Sequence, residues 1–258
     1  MDEVLAISLA SMHQDMGRLD HVALNLANAT TPGYKREVVA MKPFADVVQD
    51  LSRGLGSTTQ SHGLSQASMQ VLFDVRPGTL KMTGEPMDVA ITGDAFFEVS
   101  TDHGLAYTRQ GNFHLDAQGR LVTASGYPVM GKNGEIFLTT QSPVIDATGA
   151  ISEPSATVGP SATQPGTPVA QIKLVRFDEA KNLQHLGDGL LAGESGLSLV
   201  GESESQLHQG ALENSNVSHL SEMIQLIQVA RHFESMQKIT QGYDEMIGTA
   251  IHKLGDLS

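Results

Sequence analysis

Residues 218–254 read SHLSEMIQLIQVARHFESMQKITQGYDEMIGTAIHKL. Leu226, Val229, Phe233, Met236, Thr240, Tyr243, Ile247, Ala250 and Leu254 recur through this stretch at spacings of three and four, the period of one helix face. The spacing predicts a helix of roughly 55 Å at about 1.5 Å per residue. Ser218 suits its N-cap, and Glu222 falls near the positive helix end. Gly242 and Gly248 lie inside it and cost about 1 kcal/mol each against Ala; they fit close approach of a neighbouring helix or simple tolerance. At the other end, Leu5, Leu9, Met12, Met16, Leu19, Ala23 and Leu26 form a matching row on a helix over 3–28, stopped by Thr31-Pro32-Gly33. Such a stripe is more often an ordinary core face. Two stripes bracketing the chain, one too long to fit within a small domain, are instead read as coiled-coil seams and as an assembly interface.

Between the helices the texture is strand and turn. Residues 37–78 read as an extended connector, with a possible strand at Val38, Val39 and Met41 and a polar segment over 52–68. From Thr79 onward short alternating runs are punctuated about every ten residues. The runs are 87–91, 95–99, 106–109, 112–115 and 120–123; Asp116-Ala117-Gln118-Gly119 is a turn and Asn133-Gly134 a hairpin signal. Residues 153–168 carry four prolines and read as a surface excursion, with further strands near Ile172 and Val200. The fold class is α+β: two long terminal α-helices forming a discontinuous coiled-coil domain (1–36 and 212–258), the connector (37–78), and a barrel- or sandwich-like β-rich domain (79–205).

Net charge is −13, with no Lys/Arg cluster, which argues against nucleic acid as a partner. Cysteine is absent, so disulfides and thiolate metal sites are excluded. The N-terminus lacks the basic region of a cleavable signal, and no apolar run is long enough to insert in a membrane. No hydrolase elbow, phosphate loop or metal motif occurs. His13 and His21 are too far apart along their helix to share a metal and read as structural or solvent-facing. Asp94 and Glu98 read as surface charge rather than an acid/base pair. Asn28-Ala29-Thr30 and Asn216-Val217-Ser218 match a glycosylation sequon, common by chance. No catalytic, cofactor or metal residue is assigned, and the chain is not read as an enzyme.

Four motifs, in order, resemble the bacterial flagellar axial proteins of the rod and hook. LNLANATTPGYK at 24–35 resembles their N-terminal signature, carried by Asn25, Leu26, Ala27, Asn28, Thr31, Gly33 and Tyr34. TGEPMDVAITGDAFF at 83–97 and YTRQGNF at 107–113, with the run from Asp116 to Pro128, resemble two more family segments, Ala95 standing where the family favours Gly. LENSNV at 212–217, with Asn214, Ser215, Asn216 and Val217, resembles the opening of the C-terminal helix. The resemblance implies a structural subunit of the flagellar rod that polymerises helically and passes torque from motor to hook. Its partners would be itself, the other rod subunits and the flagellar type III export apparatus. Its place would be the periplasmic rod of the basal body, reached without a cleaved signal. Pro128-Val129-Met130-Gly131 and Ala230-Arg231-His232-Phe233-Glu234 resemble proximal rod subunits; the alternative is a distal rod or another axial protein.

Overall fold

The computed structural model describes residues 2–40, 70–153, 168–177, 183–193, 196–201 and 205–255. The sequence expectations for Met41, for 52–68 and for most of the proline-rich excursion lie outside these residues, as do the side chains of Leu5, Ala250 and Leu254. The chain divides into two compact units, one of Met1–Ala27, Glu37–Leu72 and Ser218–Ser258, the other of Asn28–Arg36 and Phe73–Val217.

The first unit contains helix α1 (Asp2–Ala27) and helix α2 (His219–Gly255), with strand β1 (Glu37–Ala40) paired to β2 (Gln70–Phe73). The α+β class stands, but the coiled coil does not. On α1, Leu9 is 67% exposed and Met16 55% exposed, while Ser8, Asp15, Val22 and Asn25 are buried. Ser8, Asp15 and Val22 also repeat every seven residues, one position before the row Leu9, Met16, Ala23 and so about 100° around the helix. Polar groups decide this rotation. The Asp15 carboxylate meets His232 Nδ1 at 2.5 Å, and Asn25 has partners on β1 and α2. Knobs-into-holes packing needs apolar a and d positions, and of the four buried residues described on α1 three are polar. On α2 the row from Leu226 through Val229, Phe233, Met236 and Thr240 to Tyr243 is half-buried, and Ile247 is exposed. Among the described residues, no atom outside the helix's own neighbouring turns lies within 4 Å of the positions a Cβ would take on Gly242 or Gly248.

The second unit is almost entirely β. Its largest element is an open, antiparallel six-stranded sheet in place of the expected barrel or sandwich, ordered β15-β16-β6-β5-β14-β17. These strands are β5 (Ala95–Thr101), β6 (Gly104–Thr108), β14 (Leu174–Phe177), β15 (Leu183–Gly187), β16 (Leu190–Gly193) and β17 (Leu197–Leu199). Strand β5 is buried continuously from Ala95 to Val99 because the sheet is covered on both faces. Phe97 and Val99 point to a core with Val89, Ile91, Leu121, Ile151 and Ile172; Phe96 points to a second with Tyr107, Val175, Leu183 and Leu191. Smaller ribbons pair β3 (Leu80–Met82) with β19 (Ala211–Glu213) and β4 (Val89–Thr92) with β18 (Gln206–Gln209), tying the start of the unit to its end.

One turn is used three times. Asp116-Ala117-Gln118-Gly119-Arg120, Thr123-Ala124-Ser125-Gly126-Tyr127 and Asp146-Ala147-Thr148-Gly149-Ala150 share a pattern. In each, the first carbonyl accepts from the glycine N–H at 2.8–3.1 Å, and the first N–H donates to the fifth carbonyl at 2.9–3.0 Å. The first side chain, Asp or Thr, also accepts from the fifth N–H, the habit that makes these residues turn formers. Each glycine takes φ of +80° to +87°. The hairpin near Asn133 turns on Lys132 and Asn133, with Gly134 at φ +116° as the left-handed residue after them. Another hairpin joins β15 to β16 through Asp188 (φ +50°) and Gly189 (φ +71°), both left-handed as a type I′ turn requires.

Gly126→Ala should cost about 1 kcal/mol, the left-handed strain alone, since open space surrounds its Cβ position. Gly119→Ala should cost more, because its Cβ would sit 2.9 Å from the Leu138 carbonyl oxygen. Urea unfolding of the two variants checks the order.

Candidate functional site

In the second unit the segment Asn28–Arg36 lies against Ala211–Glu213 and the residues that follow it. Gly33, with φ +68°, donates its N–H to the Glu213 carbonyl at 2.7 Å. A Cβ there would be 2.5 Å from the Arg109 carbonyl oxygen and the Gln110 nitrogen, so only glycine lets the segment approach this closely. Arg36 N–H donates to Asn216 Oδ1 at 2.8 Å, and Asn216 Nδ2 donates to the carbonyls of Asp74 and Arg76 at 2.7 and 3.0 Å. Asn216 therefore holds two backbone segments at once. Asn214 pairs with Thr79 through backbone and side chain.

Under this junction lie three charges. Glu213 Oε1 accepts from Lys35 Nζ at 2.6 Å and from Gly78 N–H at 2.8 Å, and its Oε2 accepts from Arg109 Nη1 at 3.1 Å. The three side chains are 1–2% exposed. Lys35 also donates to the Arg76 carbonyl at 2.9 Å, and Arg109 to the Gly93 carbonyl at 2.5 Å, with its guanidinium 4.9 Å from the centre of the Phe96 ring. Burial pushes the Lys35 ammonium below lysine's usual range, with Glu213 opposing the shift; burial likewise lowers Arg109, again against Glu213. The cluster carries one negative charge against two positive ones. Its chemistry is that of a clamp: both carboxylate oxygens are spent on protein donors, leaving none directed to a substrate.

The first unit has its own polar joint. Asn25 Nδ2 donates to the Glu37 carbonyl at 2.8 Å while its Oδ1 accepts from Glu37 N–H at 2.8 Å, so one amide side chain pairs with β1 as a neighbouring strand would. Asn25 also reaches Glu222 Oε2 at 3.5 Å, and Glu222 is fully buried in the first turn of α2. His21 Nδ1 meets Glu37 Oε2 at 2.5 Å.

The motif residues of the sequence reading thus separate. Asn25 is at the joint of the first unit, with Leu26 half-buried and Ala27 exposed beside it. Asn28, Thr31, Gly33, Tyr34, Ser215, Asn216 and Val217 are buried or half-buried in the second unit, and Asn214 is exposed. In the N-terminal row Met12, Leu19 and Leu26 are half-buried and Leu9, Met16 and Ala23 exposed. In the sequence Glu222 reads as a charge near the positive end of α2, and Lys35, Arg109 and Glu213 lie within the quoted motifs, but none of them is given a partner there, and Glu37 is not singled out. Glu98 corrects an expectation outright: it is buried in β5 and paired with Lys173 Nζ at 2.7 Å, while Asp94 is the exposed one. Among the described residues no group of His, Asp and Glu could hold a metal ion, and no helix is long and apolar enough to cross a membrane.

Two family models match the chain. Residues 90–156 match the flagellar hook protein FlgE/F/G D1 domain, and 208–252 match the flagellar basal body rod FlgEFG protein C-terminal region. The chain is 30% identical to the flagellar basal-body rod protein FlgF of Caulobacter vibrioides, over all of both chains. It is 33% identical to FlgF of Salmonella typhimurium over 97% of each, and 32% identical to FlgG of Bacillus subtilis over 93% of this chain and 94% of that one.

Gly33→Ala should destabilise the second unit by about 2–3 kcal/mol, through left-handed strain plus overlap with the Arg109 backbone; thermal unfolding measures it. Asp74, hydrogen-bonded by Arg76, and Glu153, hydrogen-bonded by Thr139, are held below their ordinary values of 3.8 and 4.5. The folded state therefore binds fewer protons there than the unfolded one. Stability from these groups is complete above those values and is lost as pH falls through the lowered ones. A pH series of unfolding midpoints should show a decline beginning near pH 4.

Proposed function

Because the chain belongs to the flagellar basal-body rod protein family, we propose that it is a structural subunit of the proximal rod, assembling with further copies and with other rod subunits to carry torque from motor to hook. The observation that carries this is the likeness over the whole length, 30% identity across 100% of both chains, rather than over one shared domain. The charge cluster supports a mechanical role: it spends buried ions on holding segments together and offers no nucleophile, base or metal ligand set to a substrate.

Polymer contacts in such a subunit are heterologous and do not close, so each copy needs apolar surface that its own fold leaves uncovered. On α2, Leu220, Met223, Ile224 and Ile227 are 70%, 51%, 48% and 48% exposed. Together with the row Leu226, Val229, Phe233, Met236, Tyr243, Ile247, Ala250 and Leu254, and with Leu5, Leu9, Met12, Met16, Leu19, Ala23 and Leu26 on α1, they are the contact surface we assign to neighbouring subunits. The domain organisation we assign to the polymer keeps the terminal helical regions, 1–36 and 212–258, at its core. The β-rich region 79–205 lies outside, joined through 37–78. Export through the flagellar type III apparatus, without a cleaved signal, and a periplasmic position in the basal body complete the reading. FlgG of Bacillus subtilis, 32% identical, keeps a distal rod role as the alternative; the runs at 128–131 and 230–234 favour the proximal one.

In a strain lacking the native subunit, the wild-type chain should restore swarming, and Ile227→Asp should reduce it to background. The same variant should keep wild-type near-ultraviolet circular dichroism. Full swarming by Ile227→Asp would remove α2 from the assembly surface.

A further inference from the structure

Glu213 joins parts of the chain that are far apart in sequence: Lys35 lies 178 positions earlier and Arg109 104 positions earlier. From Gly33 to Arg36 the segment is tied down by late residues, beside bonds to Asp74 and Arg76. Gly33 bonds the Glu213 carbonyl, Arg36 bonds the Asn216 side chain, and Asn216 N–H bonds the Tyr34 carbonyl. Docking this segment without residue 213 would bury the Lys35 ammonium beside the Arg109 guanidinium with no carboxylate between them. Two desolvated like charges lacking a counter-ion are strongly unfavourable. Among the described residues Asp74 also acts on Lys35 and Asp94 on Arg109, but Asp74 is paired with Arg76 and Asp94 is exposed, so neither takes the place of Glu213 between the two cations.

We propose that Glu213 is a closure latch, making the docking of Asn28–Arg36 conditional on arrival of the C-terminal segment. A chain is made from its N-terminus, so the cations wait and their counter-charge comes almost last. The β-sheet cores draw on apolar residues and form without the latch. The segment that follows α1 stays open until the chain is nearly complete, and then closes by charge neutralisation, with Gly33 and Gly78 permitting the close backbone approaches this needs.

The test is hydrogen exchange on the full chain, read at the Asp74 amide, which donates to the Arg36 carbonyl, and at the Tyr34 amide, which donates to the Thr31 carbonyl. Neither touches residue 213. In Glu213→Gln, exchange at both should accelerate on the order of 100-fold, while β5 and β6 amides keep wild-type protection. Adding Lys35→Met removes one stranded cation and should return both amides to within about tenfold of wild type. Wild-type protection of Asp74 and Tyr34 in Glu213→Gln would overturn the latch. So would loss of protection in β5 and β6 as well, since the segment would then be part of the core. A failure of Lys35→Met to restore closure would also overturn it, because the loss would then be one of shape rather than charge.

Discussion

Burying an ion obliges a protein to supply its partners, and Glu213 is where this chain meets that obligation. Its carboxylate answers Lys35, Arg109 and the Gly78 amide from a position 1% exposed. Each partner belongs to a different stretch of chain, so the ion cluster specifies which stretches come together. An apolar contact would tolerate sliding by a residue; this cluster does not, because a shift strands a charge in the interior. The glycines at 33 and 78 follow from the same constraint. They let backbones approach closely enough for short side-chain reach, against Arg109 at one and Asn214 at the other.

The first unit repeats the logic with an amide and a carboxylate–imidazole pair. Asn25 takes both backbone hydrogen bonds of Glu37, and Asp15 pairs with His232 across the two helices. These contacts rotate α1 so that its polar heptad faces inward. The apolar row one residue along is left outward, where Leu9 and Met16 are exposed. In a monomer that arrangement would waste apolar surface. On the reading proposed above it leaves surface for neighbouring subunits, while the polar pairs fix how α1 packs within its own unit.

Much of the β unit was legible because turn chemistry is local. Asp116 to Gly119 turns as its composition says, and the alternating runs around 95–99 and 106–109 became β5 and β6. The same turn at 123–127 and 146–150, and the Asp188-Gly189 hairpin, carried equally local signals that the overall period of the strands obscured. The strand order was not legible. Strand β14 lies beside β5, nearly eighty residues away, and β17 closes one edge of the sheet; nothing in a single strand's composition names its neighbour.

By itself the sequence determined the two terminal helices, a β-rich middle cut by glycine turns, and, through its motifs, the flagellar axial family. Each is set by the spacing of residues within a few turns or strands, or by short motifs. Only the tertiary structure decided which face of α1 is inside and that Glu98 is a buried partner of Lys173. It alone made one ion cluster of Lys35, Arg109 and Glu213. Periodicity records where apolar side chains recur. Which buried charge finds which counter-charge depends on segments that meet only when the chain has folded.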